Sequence, residues 1–193
     1  MSRIYQLVLL WLRDPDLFGR YQVAAAPVAA RYGAAERTLR PVRVGGVDMP
    51  LPDVVNVVYY DSPAAVEGLN ADPQFQAVVG MRTASVDVVS AFGVPDTGRL
   101  GPVDPPTLAS RRYLVEMSHL AADGSMPIAP PGYRIERTVL VDRPAAGLPF
   151  QPDLIRIGFV DDATGHVTDT GAAMSAPDGA GRWLRIEAAA TGP

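Results

Sequence analysis

The chain has 193 residues, a net charge of −4 and no cysteine. That length allows one large domain or two small ones, the charge argues against wrapping nucleic acid or docking on an anionic membrane, and the missing thiols exclude disulfides, thiolate catalysis and Cys-ligated zinc. All 17 basic residues are arginine, so Schiff-base chemistry and a Walker-type phosphate loop lose their usual lysine.

From Ile4 to Leu12 the chain is β-branched, aromatic and apolar on both alternating faces, which predicts a strand buried on both sides. Arg13-Asp14-Pro15-Asp16 follows where a signal peptide would need small residues, and no run reaches the ~18 apolar residues of a membrane span. The expected location is cytoplasmic. Asp14 and Pro15 supply an N-cap and an N1 proline. Leu17, Tyr21, Ala24, Ala25, Val28 and Tyr32 then recur at helical spacing. Pro27 should kink this helix, and Gly33 is placed for a left-handed C′ position.

From Glu36 to Val44 a second strand is expected, with Pro41 at an edge or a bulge. Val54 to Tyr60 is the clearest strand. Ser62-Pro63 and Asp72-Pro73 open two further helical pieces, the second ending near Arg82, and Val86 to Phe92 reads as a fourth strand. The order β-α-β-β-α-β is the split βαβ, or ferredoxin-like, arrangement. Gly93 to Ala109, with Pro95, Pro102, Pro105 and Pro106, reads as a linker.

The second half repeats the pattern with its helices nearly missing. Tyr113 to His119, Tyr133 to Val141, Asp153 to Asp161 and Trp183 to Ala189 read as strands. The segments from Leu120 to Gly132 and from Asp162 to Arg182 hold little helical signal. The predicted units are 1–94, a ferredoxin-like half; 95–109, a linker; and 110–193, a degenerate, helix-poor ferredoxin-like half. Tyr113, Val115 and Met117 alternate with Leu114, Glu116 and Ser118, so one face of the second sheet is apolar and must meet the open face of the first. The expected fold class is α+β, with tandem repeats closing a single-chain α/β barrel over a shared internal pocket.

Only two histidines occur, His119 and His166. Alternation puts His119 on the apolar face, where a desolvated imidazole could move protons near neutral pH; a strand-end histidine bonded to backbone is the other reading. His166 falls in a turn. Tyr5, Tyr59, Tyr113, Phe159 and Trp11 fall on the inferred inner faces, either as a packed aromatic core or as a lining for a flat ligand. Glu116, Glu136, Arg134, Arg156, Arg185 and Glu187 alternate in sign and read as a solvated, ion-paired outer face. Asp161-Asp162 sits at a strand end, Asp178-Gly179-Ala180-Gly181 lacks the strand and helix of a nucleotide fingerprint, and no metal-ligand spacing is present.

Residues 3 to 94 resemble the small, function-unassigned members of the dimeric α/β-barrel superfamily. The resemblance rests on Asp14 and Pro15, Tyr21 and Pro27, Tyr32-Gly33, Tyr60-Asp61-Ser62 with Ala64 and Ala65, and Asp72-Pro73-Gln74-Phe75-Gln76 with Arg82. In that superfamily two such sheets, usually from two chains, pack around a small-molecule pocket. Its relatives include polyketide cyclases, cofactor-free monooxygenases, muconolactone isomerase-like enzymes and tandem haem enzymes. The resemblance implies a cofactor-independent bacterial enzyme of specialised metabolism, acting on a polyketide-like or aromatic carbonyl compound by cyclisation or isomerisation. On that reading His119 moves the proton, Tyr59 polarises the carbonyl, and Trp11, Tyr5, Tyr113 and Phe159 bind the carbon skeleton, with no cofactor and no metal. Cofactor-free oxygenation and non-catalytic binding of a small molecule are the alternatives. The expected partner is a small-molecule substrate, not nucleic acid or membrane, and the chain is expected to be a monomer or homodimer.

Overall fold

A computed structural model describes residues 4–95, 112–120, 124, 133–141, 147–160 and 183–190. Among them the elements run β1 (Ile4–Leu12), α1 (Pro15–Arg31), β2 (Ala35–Gly46), β3 (Val54–Tyr60), α2 (Pro63–Ala71), α3 (Pro73–Ser85), β4 (Val86–Pro95), β5 (Arg112–Ser118), β6 (Tyr133–Val141), β7 (Leu154–Val160) and β8 (Leu184–Ala190). The helices start where their caps sit. Asp14 Oδ1 accepts from the Leu17 amide at 2.9 Å, Ser62 Oγ from Ala65 at 3.2 Å, and Asp72 Oδ1 from Gln74 at 2.7 Å. Each cap contributes about 1 kcal/mol, and each is followed by a proline that has no amide to leave unsatisfied. Pro27 lies inside α1 without ending it. Gly33 takes φ 67°, the left-handed exit expected of it.

The eight strands close into one antiparallel barrel in the order β1-β3-β2-β8-β5-β7-β6-β4. Each half contributes four neighbouring strands, and the halves join at two seams. One is long, with β2 against β8 from Leu39↔Ala190 to Gly46↔Leu184. The other is short, with Gly93, Val94 and Pro95 of β4 against Val141, Leu140 and Val139 of β6. Pro41 sits at the register shift of the long seam, between Pro41 and Arg43. The expected bulge is realised, and Pro41 also lies beyond Leu39, the last residue through which β2 pairs with β3.

Period-two alternation decides what fills the barrel. Tyr5, Leu7 and Leu9, then Val55 and Val57, Tyr113, Val115 and Met117, Ile155 and Ile157, and Leu184, Ile186 and Ala188 form one buried cluster, with Leu39 and Phe150. These are the apolar faces that had to meet. They meet as one cluster of side chains, most under 4% exposed. On the other side of the first half-sheet, α1, α2 and α3 cover Ile4, Val58 and Tyr60 with Ala25, Val28, Val66, Leu69 and Phe75.

The outer face of the second half-sheet corrects the expectation of a solvated surface. Glu116, Arg156, Arg185 and Glu187 are ion-paired as expected, but they are 1–3% exposed. Arg156 Nε donates to Glu116 Oε1 at 2.9 Å and Arg185 Nε to Glu116 Oε2 at 2.5 Å. Glu187 faces the half-exposed Arg112 at 3.3 Å. The side chains of Arg134 and Glu136, the pair Asp161-Asp162, His166, Asp178 to Gly181 and the two helix-poor segments lie outside the described residues, apart from Leu120 and Gly124.

Candidate functional site

A cavity of about 390 Å³ opens between the helices and the outer face of the first half-sheet. Its floor is set by register. Gln6, Val58 and Glu36 form one row across β1, β3 and β2, and Val8, Asn56 and Thr38 form the next. Its roof is α1, which presents Phe18, Tyr21, Gln22, Ala25, Ala26 and Ala29, with Leu69, Phe75 and Arg82 from the other two helices. The cavity exists because α1 sets alanines above a floor of short polar side chains. Larger residues on that helix would fill the gap, as side chains do elsewhere in close-packed interiors.

Four polar groups give the cavity its chemistry. Asn56 is 7% exposed, and its Oδ1 has no hydrogen-bond partner among the described atoms. A buried, unpartnered acceptor costs free energy until something donates to it. Tyr60 is also 7% exposed, and its hydroxyl donates to Gln6 Oε1 at 3.4 Å. Burial pushes its pKa up to about 12, with Tyr21 and Glu36 adding to the rise and Arg82 opposing it. Tyr21 is raised by burial as well, again against Arg82. The hydroxyls therefore stay protonated at neutral pH and can donate.

Glu36 stands at the open side of the cavity. Solvent reaches the residue there, yet the walls crowd its carboxylate enough to raise its pKa by desolvation, against the lowering effect of Thr38. Thr38 Oγ1 donates to Glu36 Oε1 at 3.3 Å. A carboxylate raised in this way is a stronger base than a fully solvated one, and its acid form persists closer to neutrality.

None of the residues given a catalytic or substrate-binding role from sequence lines this cavity, although Tyr21, Tyr60, Phe75 and Arg82 of the family resemblance do. Tyr5, Tyr59 and Tyr113 gather at the opposite barrel end from His119. The rings of Tyr5 and Tyr59 meet edge-on at 4.9 Å, and the Arg37 guanidinium lies 5.3 Å from the Tyr113 ring centroid. Phe159 belongs to the same end by register, opposite Tyr113. Trp11 is at the other end, donating from Nε1 to the Pro50 carbonyl at 3.3 Å. His119 lies just past β5 at that end, 35% exposed, with Nδ1 3.1 Å from Asp153 Oδ2 and its ring against Phe150 at 5.6 Å. Six residues of strand, about 20 Å, separate His119 from Tyr113 along β5. His119 and Tyr59, which were expected to act on one substrate, follow strands that run in opposite directions round the antiparallel barrel, His119 just past the end of β5 and Tyr59 near the end of β3. Sequence reasoning missed Asn56, Glu36, Gln6, Thr38 and Tyr60. The available signal was Asn56 itself, a polar interruption inside a strand otherwise apolar on both faces.

The resemblance included tandem haem enzymes, and the lining of this cavity does not fit that group. It holds no histidine, cysteine or methionine.

No family model matches the chain, and no curated protein matches it. Solved structures do. An anthrone oxidase-like protein aligns with a TM-score of 0.57 at 15% identity, covering 98% of this chain and 91% of its own. A mutant chlorite dismutase from Candidatus Nitrospira defluvii, in complex with cyanide, aligns with a TM-score of 0.56 at 8% identity over the same shares. A protein of unknown function from Rhodopseudomonas palustris is 25% identical over 54% of this chain and 85% of its own, with a TM-score of 0.41. These two likenesses, each over 98% of this chain, carry the fold, an α+β fold similar to ferredoxin-like barrels. No helix among the described residues is long and apolar enough to cross a membrane.

Proposed function

We propose that this chain is a cofactor-independent enzyme that moves a proton on a polyketide-like or aromatic carbonyl compound, giving isomerisation or cyclisation through an enol or enolate. The observation that carries the reading is the content of the first-half cavity. A carboxylate with a raised pKa, a phenol kept protonated and an unpartnered buried amide oxygen face one partly apolar space. In the reaction, Glu36 takes a proton from the carbon beside the carbonyl, and the Tyr60 hydroxyl turns from Gln6 to the carbonyl oxygen as negative charge develops there. Glu36, now a carboxylic acid, returns the proton to another carbon. Asn56 Oδ1 accepts from a substrate hydroxyl and fixes the ring. The matching rows of the two half-sheets support reading them as tandem repeats of one unit, of which the first keeps the site.

The test uses 2-tetralone, an aromatic ketone with acidic C–H bonds, in deuterated buffer. The protein should speed exchange of those hydrogens, followed by proton NMR, and Glu36→Gln should remove most of the effect. Wild-type exchange no faster than buffer would sink the proton-transfer reading. An oxygen electrode in the same reaction separates the alternatives. Oxygen uptake would replace enolate chemistry by cofactor-free oxygenation in the same cavity, and binding with neither response would make the chain a small-molecule binding protein.

A further inference from the structure

Arg82 brings a cation to the cavity wall that the proton-transfer reading leaves without a task. It projects from α3, whose end is secured when the Arg82 carbonyl accepts from Ser85 Oγ at 3.2 Å. The guanidinium lies over the Tyr21 ring, 5.9 Å from the centroid. Among the described residues it pairs with no carboxylate. Glu36, the carboxylate among the cavity's lining residues, accepts instead from Thr38. Tyr21 and Tyr60 line the same cavity as both charges, with Glu36 on β2 and Arg82 on α3. The cavity is therefore polarised, negative at the β2 side and positive at the α3 side, with apolar side chains around both. A guanidinium has five N–H donors in a planar fork that suits a carboxylate, and a ring face beneath it leaves the edge of that fork to a ligand.

We infer that the ligand of this cavity carries a carboxylate, seated on Arg82, at the end of its skeleton away from the group that Glu36 attacks. This rests on the reading of the cavity as the substrate site and narrows it to aromatic or polyketide-like acids. A neutral ketone leaves the guanidinium facing an apolar ligand without a counter-charge. A phosphate would put two negative charges into a cavity that already holds Glu36, with one cation to meet them. A single carboxylate on a hydrocarbon frame matches the wall on both counts. It also orients the substrate, because the acid can lie only at the α3 side and the reacting carbon then falls toward β2.

The experiment measures binding of 6-hydroxy-2-naphthoate and of its methyl ester by quenching of protein fluorescence, on the full chain. The acid should bind at least ten-fold more tightly than the ester. Arg82→Gln should abolish that preference while leaving ester affinity within about two-fold, and Arg82→Lys should keep part of it. Circular dichroism of each variant checks the fold. Equal binding of acid and ester by the wild type, or a preference that survives Arg82→Gln, overturns the carboxylate inference and leaves the cavity reading standing. If neither compound binds, both fall together. Ala29→Phe, which fills the cavity from α1, should weaken acid and ester alike; undiminished binding in that variant places the ligand elsewhere and also overturns the inference.

Discussion

In the first half the row Val8–Asn56–Thr38 crosses three strands beneath α1, and a cavity stands above it. In the second half the corresponding row is Glu116–Arg156–Thr138, where strands β5, β7 and β6 repeat the pairing of β1, β3 and β2. The backbone ladder is the same, but Asn56 is matched by Arg156 and Val8 by Glu116. One face keeps a small neutral amide that leaves room for a ligand. The other fills the equivalent place with a buried ion pair, reinforced by Arg185 from β8. The comparison teaches that a barrel of two like halves needs only one open face. The second can trade its space for charged side chains that satisfy one another.

The largest effect should come from breaking that trade. Glu116→Leu leaves Arg156 and Arg185 without their carboxylate, and urea unfolding should show a loss of about 3–5 kcal/mol. Replacing the trio together, Glu116→Met with Arg156→Leu and Arg185→Met, should recover most of it, because buried ion pairs give little net stability over apolar packing. A Glu116→Leu variant as stable as wild type would show the cluster to be solvated after all.

The next effect is on turnover. Glu36→Gln should slow proton exchange by about 10²- to 10⁴-fold, the range of general acid–base catalysis, with the fold retained. The same variant carries a pH signature. The folded pKa of Glu36 is raised, so the protonated form is favoured by folding and that contribution fades as pH rises through the folded pKa. Glu36→Gln should therefore gain stability relative to wild type as the pH climbs above the ordinary carboxylate range. The two should converge in acid, as read from melting temperatures across pH. A constant difference at all pH would remove the desolvation argument.

The smallest effect is expected at His119. Held by Asp153 at a barrel end, it lies outside the cavity. His119→Asn should change exchange rates by less than about two-fold. A loss of a hundred-fold would move the chemistry to the barrel end and dissolve the distinction between the halves.

The strands were legible because their signal is local. Period-two alternation placed Tyr113, Val115 and Met117 on one face, and caps at Asp14, Ser62 and Asp72 marked the helix starts. The union of two apolar faces followed from having nowhere else to go. The location of the empty space was not legible, because a cavity is a difference between two surfaces. Alanines at 25, 26 and 29 read as ordinary helix residues, and only their position above Asn56 and Thr38 makes a gap. The burial of Glu116 was hidden for a related reason. Opposite charges in register look the same on a wet face and a dry one.

Closing the barrel within one chain has a consequence beyond shape. Where two chains must meet to complete such a sheet, assembly follows mass action and dilution opens it. Here the long seam between β2 and β8 and the short one between β4 and β6 are tethered. The local concentration of one half around the other is set by the connecting segment and not by the abundance of the protein. A tether also frees the halves from identity, since no symmetry axis obliges both to carry the same residues. Arg156 could then stand where Asn56 stands without removing the site from every copy of the molecule.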